Sequence, residues 1–376
     1  MFQIRRSVWG SFAALLLASL AHAGSECSQP WQRVAESAPT GDQIAYDEGR
    51  RRTVLVTGTD TWEWDGCSWR LATQSGPPER GSGALVYDPV GRRVLLFGGY
   101  SGSSVRSDLW SWDGSTWLLL SDGAVPGRGD FAMCFDRDRN RLVVHGGYDR
   151  SSLLQDTCEW DAATNTWSRF ASGPIGRLYA HRMVYDEVRR RAVLHGGFYY
   201  YNRGDTWTWD GANWSRIATG GPARYVFCMA FDRLRGEVVM HGGTTCCYEV
   251  EYSETFRLRD GSWQLCRNDG PARGYTNMAY DALRDALVFS GGLGPTPGGR
   301  VVLPETWEMS LGQGAATVPC VCPTDLDRDG DTGGGDIGLL MLSYANDDPS
   351  LDIDRDGVID IGDLSSILLA WGPCGG

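Results

Sequence analysis

The sequence has no lysine: all 35 of its basic residues are arginines, set against 47 acids. Lysine-borne chemistry is excluded, and the absence reads as a trait of a GC-rich genome rather than of a function. Histidine is scarce, five in 376 residues, and none stands at zinc-ligand spacing from the cysteines. No apolar run is long enough to span a bilayer, so no membrane span is expected. The net charge of −12 leaves no reason to expect a nucleic-acid partner. That acidity is local, because Asp325 to Asp363 holds twelve acids and two arginines, a balance of −10, and the rest is nearly neutral.

The first 23 residues read as a bacterial-type export signal. Arg5 and Arg6 supply the charged start, Phe12 to Leu20 the apolar stretch, and Ala21-His22-Ala23 the small-residue cleavage site. The expected location is secreted, extracellular or cell-surface. Eleven cysteines in an exported chain favour disulfides over a reduced metal or redox site. Connectivity is not readable from spacing; Cys322 and Cys374 bracket the tail and are the one pair singled out. The odd count leaves at least one thiol unpaired or intermolecular.

What is abundant is internal repetition. An aromatic-Asp step recurs six times: Tyr46-Asp47, Tyr87-Asp88, Phe135-Asp136, Tyr185-Asp186, Phe231-Asp232 and Tyr280-Asp281. Each is followed by an Arg-rich turn and a short apolar run, and five runs end in a glycine pair, from Gly98-Gly99 to Gly291-Gly292. A variable loop, an acid-x-aromatic step and a turn then lead to a second tryptophan, in five copies Trp69, Trp117, Trp167, Trp214 and Trp263. Four strand-sized pieces repeating every 40 to 50 residues describe a propeller blade. The sixth copy stops at Trp307-Glu308-Met309, and Trp31-Gln32-Arg33-Val34 matches its missing last strand. The expected fold is all-β: a six-bladed β-propeller closed by an N-terminal strand, which removes the sheet edge. The glycine doublet after an apolar strand, followed by the spaced aromatic, resembles the kelch family of galactose-oxidase-type propellers over Trp31 to Ser310.

Loops between second and third strands share one face with the inter-blade loops, and the tight turns share the other. On the tight-turn face fourteen arginines stand among ten acids, which favours mixed-charge turns over a polyanion surface. On the loop face Arg80, Arg128, Arg177, Arg224 and Arg273 precede first strands, while Asp60, Asp108, Asp156, Asp205, Glu254 and Glu305 precede third strands. Mutual pairing is the favoured reading over a carboxylate-binding ring. A site for an asymmetric ligand should break the repeat. The candidates are Tyr199, Tyr200 and Tyr201 in the fourth blade's loop, Tyr248 in the fifth, and His181, read at the first-strand position where other copies have Ala84, Ala132, Cys228 and Asn277. No catalytic constellation is evident, so enzymatic activity is left open with the reading leaning against it.

The tail carries two loops of the calcium-binding pattern. Asp325, Asp327, Asp329, the Asp331 carbonyl and Asp336 form one; Asp352, Asp354, Asp356, the Val358 carbonyl and Asp363 form the other. Each precedes an apolar helix, expected at Ile337 to Tyr344 and Leu364 to Trp371. A duplicated loop-helix with Asp at the twelfth position resembles type I dockerin modules, which implies Ca2+ and a cohesin-like or cell-surface partner. Gly334-Gly335 and Ile361-Gly362 stand where that family commonly has small hydroxyl pairs, which weakens the cohesin inference. The expected boundaries are a signal at 1–23, propeller at 24–311, linker at 312–319, and a small α module with two EF-hand-like calcium loops at 320–376. The functional expectation is a non-enzymatic binding or adhesion protein whose loop face takes a glycan or protein, with a tail for calcium-dependent docking. The alternative is a carbohydrate-active, polysaccharide-degrading enzyme recruited to an assembly through that tail.

Overall fold

The computed structural model describes residues 29–170, 173–246, 250–311, 326, 331–343, 361–369 and 372–373. Six four-stranded antiparallel sheets run in chain order. Blade 1 comprises Gln43–Asp47, Arg52–Thr57, Asp60–Trp64 and Trp69–Thr73, and blade 2 Ala84–Asp88, Arg93–Phe97, Leu109–Trp112 and Trp117–Ser121. Blade 3 is Ala132–Asp136, Arg141–His145, Thr157–Asp161 and Thr166–Phe170; blade 4 is Arg182–Asp186, Arg191–His195, Thr206–Trp209 and Trp214–Ala218. Blade 5 is Cys228–Asp232, Glu237–His241, Thr255–Arg259 and Ser262–Arg267. Blade 6 has Ala279–Asp281, Ala286–Ser290 and Thr306–Ser310 from the chain's late part, and its outer strand is Gln32–Ala35. Gln32 pairs with Glu308 and Arg33 with Trp307, so the N-terminal strand closes the ring as the repeat implied. Each first strand touches the next around the full circle, blade 6 meeting blade 1.

Apolar second strands are covered on both faces by adjacent blades, and Val94, Leu95, Leu96 and Phe97 are fully buried. Each core cluster therefore spans two blades, as where Leu95 and Phe97 meet Phe131, Met133 and Leu142. No blade could cover its own faces, which is why the repeats stand or fall together. The glycine pairs mark where the next blade's entry strand crosses: Gly98 has φ +65°, and a Cβ there would lie 2.7 Å from the Arg128 carbonyl.

A second joint repeats between blades. The fourth-strand tryptophan of one blade donates its indole N–H to a third-strand threonine of the preceding blade. The pairs are Trp117 to Thr61 (2.9 Å), Trp214 to Thr157 (2.8 Å), Trp263 to Thr206 (2.9 Å), Trp31 to Thr255 (3.0 Å) and Trp69 to Thr306 (2.7 Å). Trp31 thus completes the joint as well as the sheet. The exception is Trp167, whose indole N–H finds no acceptor because blade 2 has Leu109 where the others have threonine. In blades 4 and 5 the threonine hydroxyl meets a buried histidine, His195 Nδ1 at 2.9 Å and His241 Nδ1 at 2.9 Å. The Nε2 atoms of these two rings face the carbonyls of Pro222 and Pro271, so Nε2 carries the proton and Nδ1 accepts from threonine.

Cys134, Cys158 and Cys228 are free, buried thiols within strands, Cys158 also hydrogen-bonded to Asp156 and Arg128, so the disulfide expectation does not extend to them. Burial pushes the Cys158 and Cys228 thiols up to about 12. In the tail, helix α1 spans Gly334–Ser343 and α2 spans Ile361–Leu369. Both begin three residues earlier than the sequence suggested. The reason is visible at α1, where Asp336 reaches back to accept the N–H of Gly333 at 2.6 Å, so the Asp caps the helix from inside its first turn. The two helices pack together, with Leu340 and Ile367 fully buried. Among the described residues no helix is long and apolar enough to cross a membrane.

Candidate ligand face

The tight-turn end of the central channel is closed. Glu48, Arg137, Glu187 and Arg233 follow the aromatic-Asp step in blades 1, 3, 4 and 5 and alternate in charge. Arg137 pairs with Glu48 (2.8 Å) and Glu187 (3.1 Å), and Arg233 with Glu48 (2.7 Å) and Glu187 (2.9 Å). Other arginines of these turns are tied down radially. Arg284 bonds Asp281 (2.7 Å) and clamps Glu308 (2.6 Å), which also accepts the Trp64 indole N–H from blade 1 at 2.7 Å. Arg139 repeats this with Asp136 and Glu159, and Glu159 takes the Trp209 N–H at 2.6 Å. These guanidiniums are spent on the fold, in the mixed-charge pairing that the alternation of arginines and acids in the turns favours.

At the loop end five residues just ahead of the first strands hold left-handed backbone: Ser82, Asp130, Ala180, Val226 and Tyr275, with φ between 49° and 56°. They form a chain of main-chain hydrogen bonds around the channel mouth. Asp130 N–H donates to Ser82 O (3.0 Å), Ala180 to Asp130 (2.7 Å), Val226 to Ala180 (3.0 Å) and Tyr275 to Val226 (3.0 Å). In blade 1 the Asp42 carboxylate receives the Ser82 N–H instead, at 3.2 Å. Arg182 lies across this mouth, donating to the Thr276 carbonyl at 3.3 Å, with its Nε unpartnered. Burial raises the Asp42 pKa and lowers that of Arg182. The remaining space, about 50 Å³, suits water rather than a larger ligand.

Outside this mouth the arginine and acid rings neutralise each other blade by blade. Arg80 grips Asp108 through both nitrogens (2.7 and 2.9 Å) and donates to the Gly98 carbonyl (3.2 Å). Arg128 does the same with Asp156 (3.0 and 3.2 Å) and Gly146 (3.1 Å). Arg224 reaches Glu254 at 3.2 Å, and Arg273 bonds Glu305. Burial acts to raise the Asp156 carboxyl, but hydrogen bonds from Arg128 and Arg169 outweigh it and bring it down to about 2. A carboxylate-binding ring is thereby ruled out at these four blades.

Blade 4 departs from this, and the sequence expectation needs two corrections. Register shows that Arg182, not His181, corresponds to Ala84, Ala132 and Cys228, since each faces the end of its second strand. The ring position is therefore Leu178, which is 2% exposed and whose carbonyl receives the Gly147 N–H as Arg128 O receives that of Gly99. Arg177 points outward and is exposed. His181 is fully buried at the junction of blades 3 and 4, its Nε2 donating to the His145 carbonyl at 3.1 Å, so it does not reach the ligand face. With no arginine in the ring, Asp205 has only Arg216 at 3.9 Å. A cleft of about 360 Å³ lies there, lined by Ile175, Leu178, Leu194, Gly196, Asp205 and Trp207 with Arg203 and Arg216 at its sides. A neighbouring one of about 490 Å³ is bordered by Leu153, Leu154, Phe170 and Arg177.

The predicted aromatic cluster stands beside these clefts. Phe198–Tyr199 and Tyr201–Asn202 form a small hairpin turning at Tyr200, which has φ +60°. Tyr200 is 81% exposed and Tyr201 58%, the Tyr199 and Tyr200 rings lie 4.2 Å apart, and Arg203 stacks on Tyr201 at 4.4 Å. Tyr248 lies outside the described residues. In the tail, Asp336 and Asp363 are buried at the first turns of α1 and α2, and the main chain of Asp331 pairs with that of Pro373. Asp325, Asp327, Asp329, Asp352, Asp354, Asp356 and Val358 lie outside the described residues, as do Cys322 and Cys374. Sequence reasoning missed Leu178, Asp42 and Arg182. Counting back from the aromatic-Asp step rather than forward from the arginine gives the two shifts in register, Leu178 for Arg177 and Arg182 for His181, because Arg177 is eight residues before Tyr185 whereas Arg128 is seven before Phe135.

Compared with known proteins, residues 41–243 match the family model described as the KLHDC2/KLHL20/DRC7 Kelch-repeats domain. The match covers more than half of the chain, from the start of blade 1 to the glycine pair of blade 5. No curated protein matches.

Proposed function

Because the chain belongs to the kelch-repeat family, whose propellers mediate protein interactions, we propose that it is a non-enzymatic binding protein and that a partner protein docks on the loop face over blade 4. The observation that carries this is the coincidence of three departures from the repeat at one place. Exposed Tyr200 and Tyr201, the outward Arg177 and the cleft over Leu178 all belong to blade 4. Tyrosine and arginine dominate binding energy at protein interfaces, and exposed aromatic side chains on a turn cost little entropy to fix. At the tight-turn end the axis is instead crossed by the Glu48, Arg137, Glu187 and Arg233 ion pairs.

A photo-crosslinking amino acid placed at Tyr201 or, on the opposite face, at Val188 tests this in the secreted material of the native host. Adducts at 201 that vanish on Tyr200→Ala, with none at 188, are expected. Equal labelling of both faces, or binding of glycans and no protein, overturns the reading.

The tail we assign to calcium and to docking of a further surface protein, with export of the whole chain. The donor set of the two loops is all oxygen and rich in carboxylates, which fits a hard divalent cation. Asp336 and Asp363 support this as buried acids at matching places in a duplicated loop-helix. Asp325, Asp327, Asp329 and Asp331, with Asp352, Asp354, Asp356 and Val358, complete the two sets. Cys67 and Cys266 are the cysteines we assign to disulfides, in keeping with export. Calorimetric titration of the metal-free protein with Ca2+ should give two sites, one lost in Asp325→Ala and the other in Asp352→Ala. No heat from either loop removes calcium from the proposal.

A further inference from the structure

We infer that the cleft over Leu178 is a receptor for a guanidinium group brought by the partner, an arginine side chain that completes from outside the ring which four other blades complete themselves. The inference rests on the protein-binding reading and names the chemistry that reading leaves open.

The argument is a comparison of like places. In blades 2, 3, 5 and 6 a guanidinium sits between a third-strand carboxylate and, in three of them, the carbonyl of the first glycine of the pair: Asp108 with Gly98, Asp156 with Gly146, Glu254 with Gly242. An aromatic ring flanks it at two of these places, Phe256 at 5.3 Å from Arg224 and Trp307 at 6.0 Å from Arg273. Blade 4 retains every one of these partners. Asp205 supplies the carboxylate, Gly196 the carbonyl and Trp207 the ring, and all three line the cleft. Only the cation is replaced, by the shorter, uncharged Leu178. Leu178, Ile175 and Leu194 form an apolar wall of the kind an arginine stem packs against.

Two arginines border the cleft, and the repeat shows that neither bars a third. Arg216 occupies the place of Arg169, and in blade 3 Asp156 accepts Arg169 at 2.6 Å while still gripping Arg128. Arg203 occupies the place of Arg106, which in blade 2 coexists with the Arg80–Asp108 pair, and Arg203 itself is drawn off onto Tyr201. A planar fork matched to carboxylate and carbonyl selects guanidinium over ammonium.

N-acetylarginine methylamide and its uncharged citrulline counterpart, titrated into the full chain and followed by Trp207 fluorescence and NMR, test this directly. The arginine probe should bind, and the citrulline probe at least tenfold more weakly. Asp205→Asn should weaken the arginine probe about tenfold. Leu178→Arg should abolish its binding by filling the place from within, and Leu178→Ala, which keeps the receptor, should retain it if the arginine variant fails to fold. Equal binding of both probes, indifference to Asp205→Asn, or preferential binding of acetate between Arg203 and Arg216 overturns the inference. Crosslinks at Tyr201 that persist when the arginine probe fails defeat this inference alone. Probe binding without any loop-face crosslink defeats the docking reading instead.

Discussion

At the tight-turn end of the channel the charges named above are paired within and between blades, with Glu48, Arg137, Glu187 and Arg233 crossing the axis and Arg284, Glu308 and Trp64 tying blade 6 to blade 1. At the loop end the arginine-acid pair is kept in four blades; blade 1 has Pro39 in the arginine's place, and in blade 4, where Leu178 stands there, Asp205 faces a cleft and three tyrosines rise beside it. The contrast teaches where to look in a repeat protein. Charges that recur with the repeat are structural because their partners recur with them, and a site for something asymmetric lies where one member of a recurring pair is missing.

The sharpest test concerns closure, on which both ends depend. A chain lacking Trp31 and the Gln32–Ala35 strand loses the outer strand of blade 6, the indole bond to Thr255 and the cover of Phe289 and His241. We expect loss of cooperative unfolding and aggregation through the bared edge of Thr306–Ser310, seen by calorimetry and light scattering. Trp31→Ala alone should cost about 3–5 kcal/mol. A truncated chain with an unchanged melting temperature would undo the closed-ring picture.

Next in size is a matched pair across the channel. Glu308→Ala strands Arg284 without its clamp in a fully buried place and should cost about 3–5 kcal/mol in urea denaturation. Asp205→Ala at the loop end, where the nearest cation is 3.9 Å away and exposed, should cost less than about 1 kcal/mol. Similar costs at the two positions would erase the difference between the ends.

The buried histidines add a dependence on pH. Burial lowers His145 to about 3 and His195 and His241 to about 4, and holds His181 well below its usual range. The unfolded chain takes up these protons below about pH 6.5 while the folded chain does not, so stability is full above that pH and falls as pH drops toward 4. Each histidine should remove about 1.4 kcal/mol by pH 5.5 relative to neutral. His195→Phe, which copies the residue blade 2 has at Phe97, should shrink the fall by one such step; an unchanged profile would show the ring is not protonated on unfolding.

Blade number, strand order and closure were legible because each rests on residues that recur: the aromatic-Asp step, the glycine pair and the second tryptophan. Trp31 could be placed from the sequence because its copy in blade 6 was missing. The site was legible only as exposed tyrosines. Leu178 carries no chemical signal of its own and becomes informative only when register shows that arginine holds its place elsewhere. The early start of α1 was hidden for a related reason, since Gly333 to Gly335 reads as a loop until Asp336 is seen bonding back to Gly333. Asp42 and Arg182 were missed because neither recurs, and their relation exists only across the ring.

The smallest expected effect is also the most specific. Trp167 and Trp214 occupy the same place in successive blades, and one difference separates them: Trp214 donates to Thr157 while Trp167 points at a blade that has Leu109. Trp→Phe removes similar volume at both. At 214 it also deletes a hydrogen bond and leaves the Thr157 hydroxyl with His145 alone, 3.0 Å away. At 167 it removes a buried donor that has no acceptor, which offsets part of the lost packing. Trp214→Phe should therefore cost about 1–2 kcal/mol more than Trp167→Phe in parallel urea titrations. Equal costs would mean that the indole-threonine joint adds nothing beyond packing, and that Leu109 is no exception to the repeat.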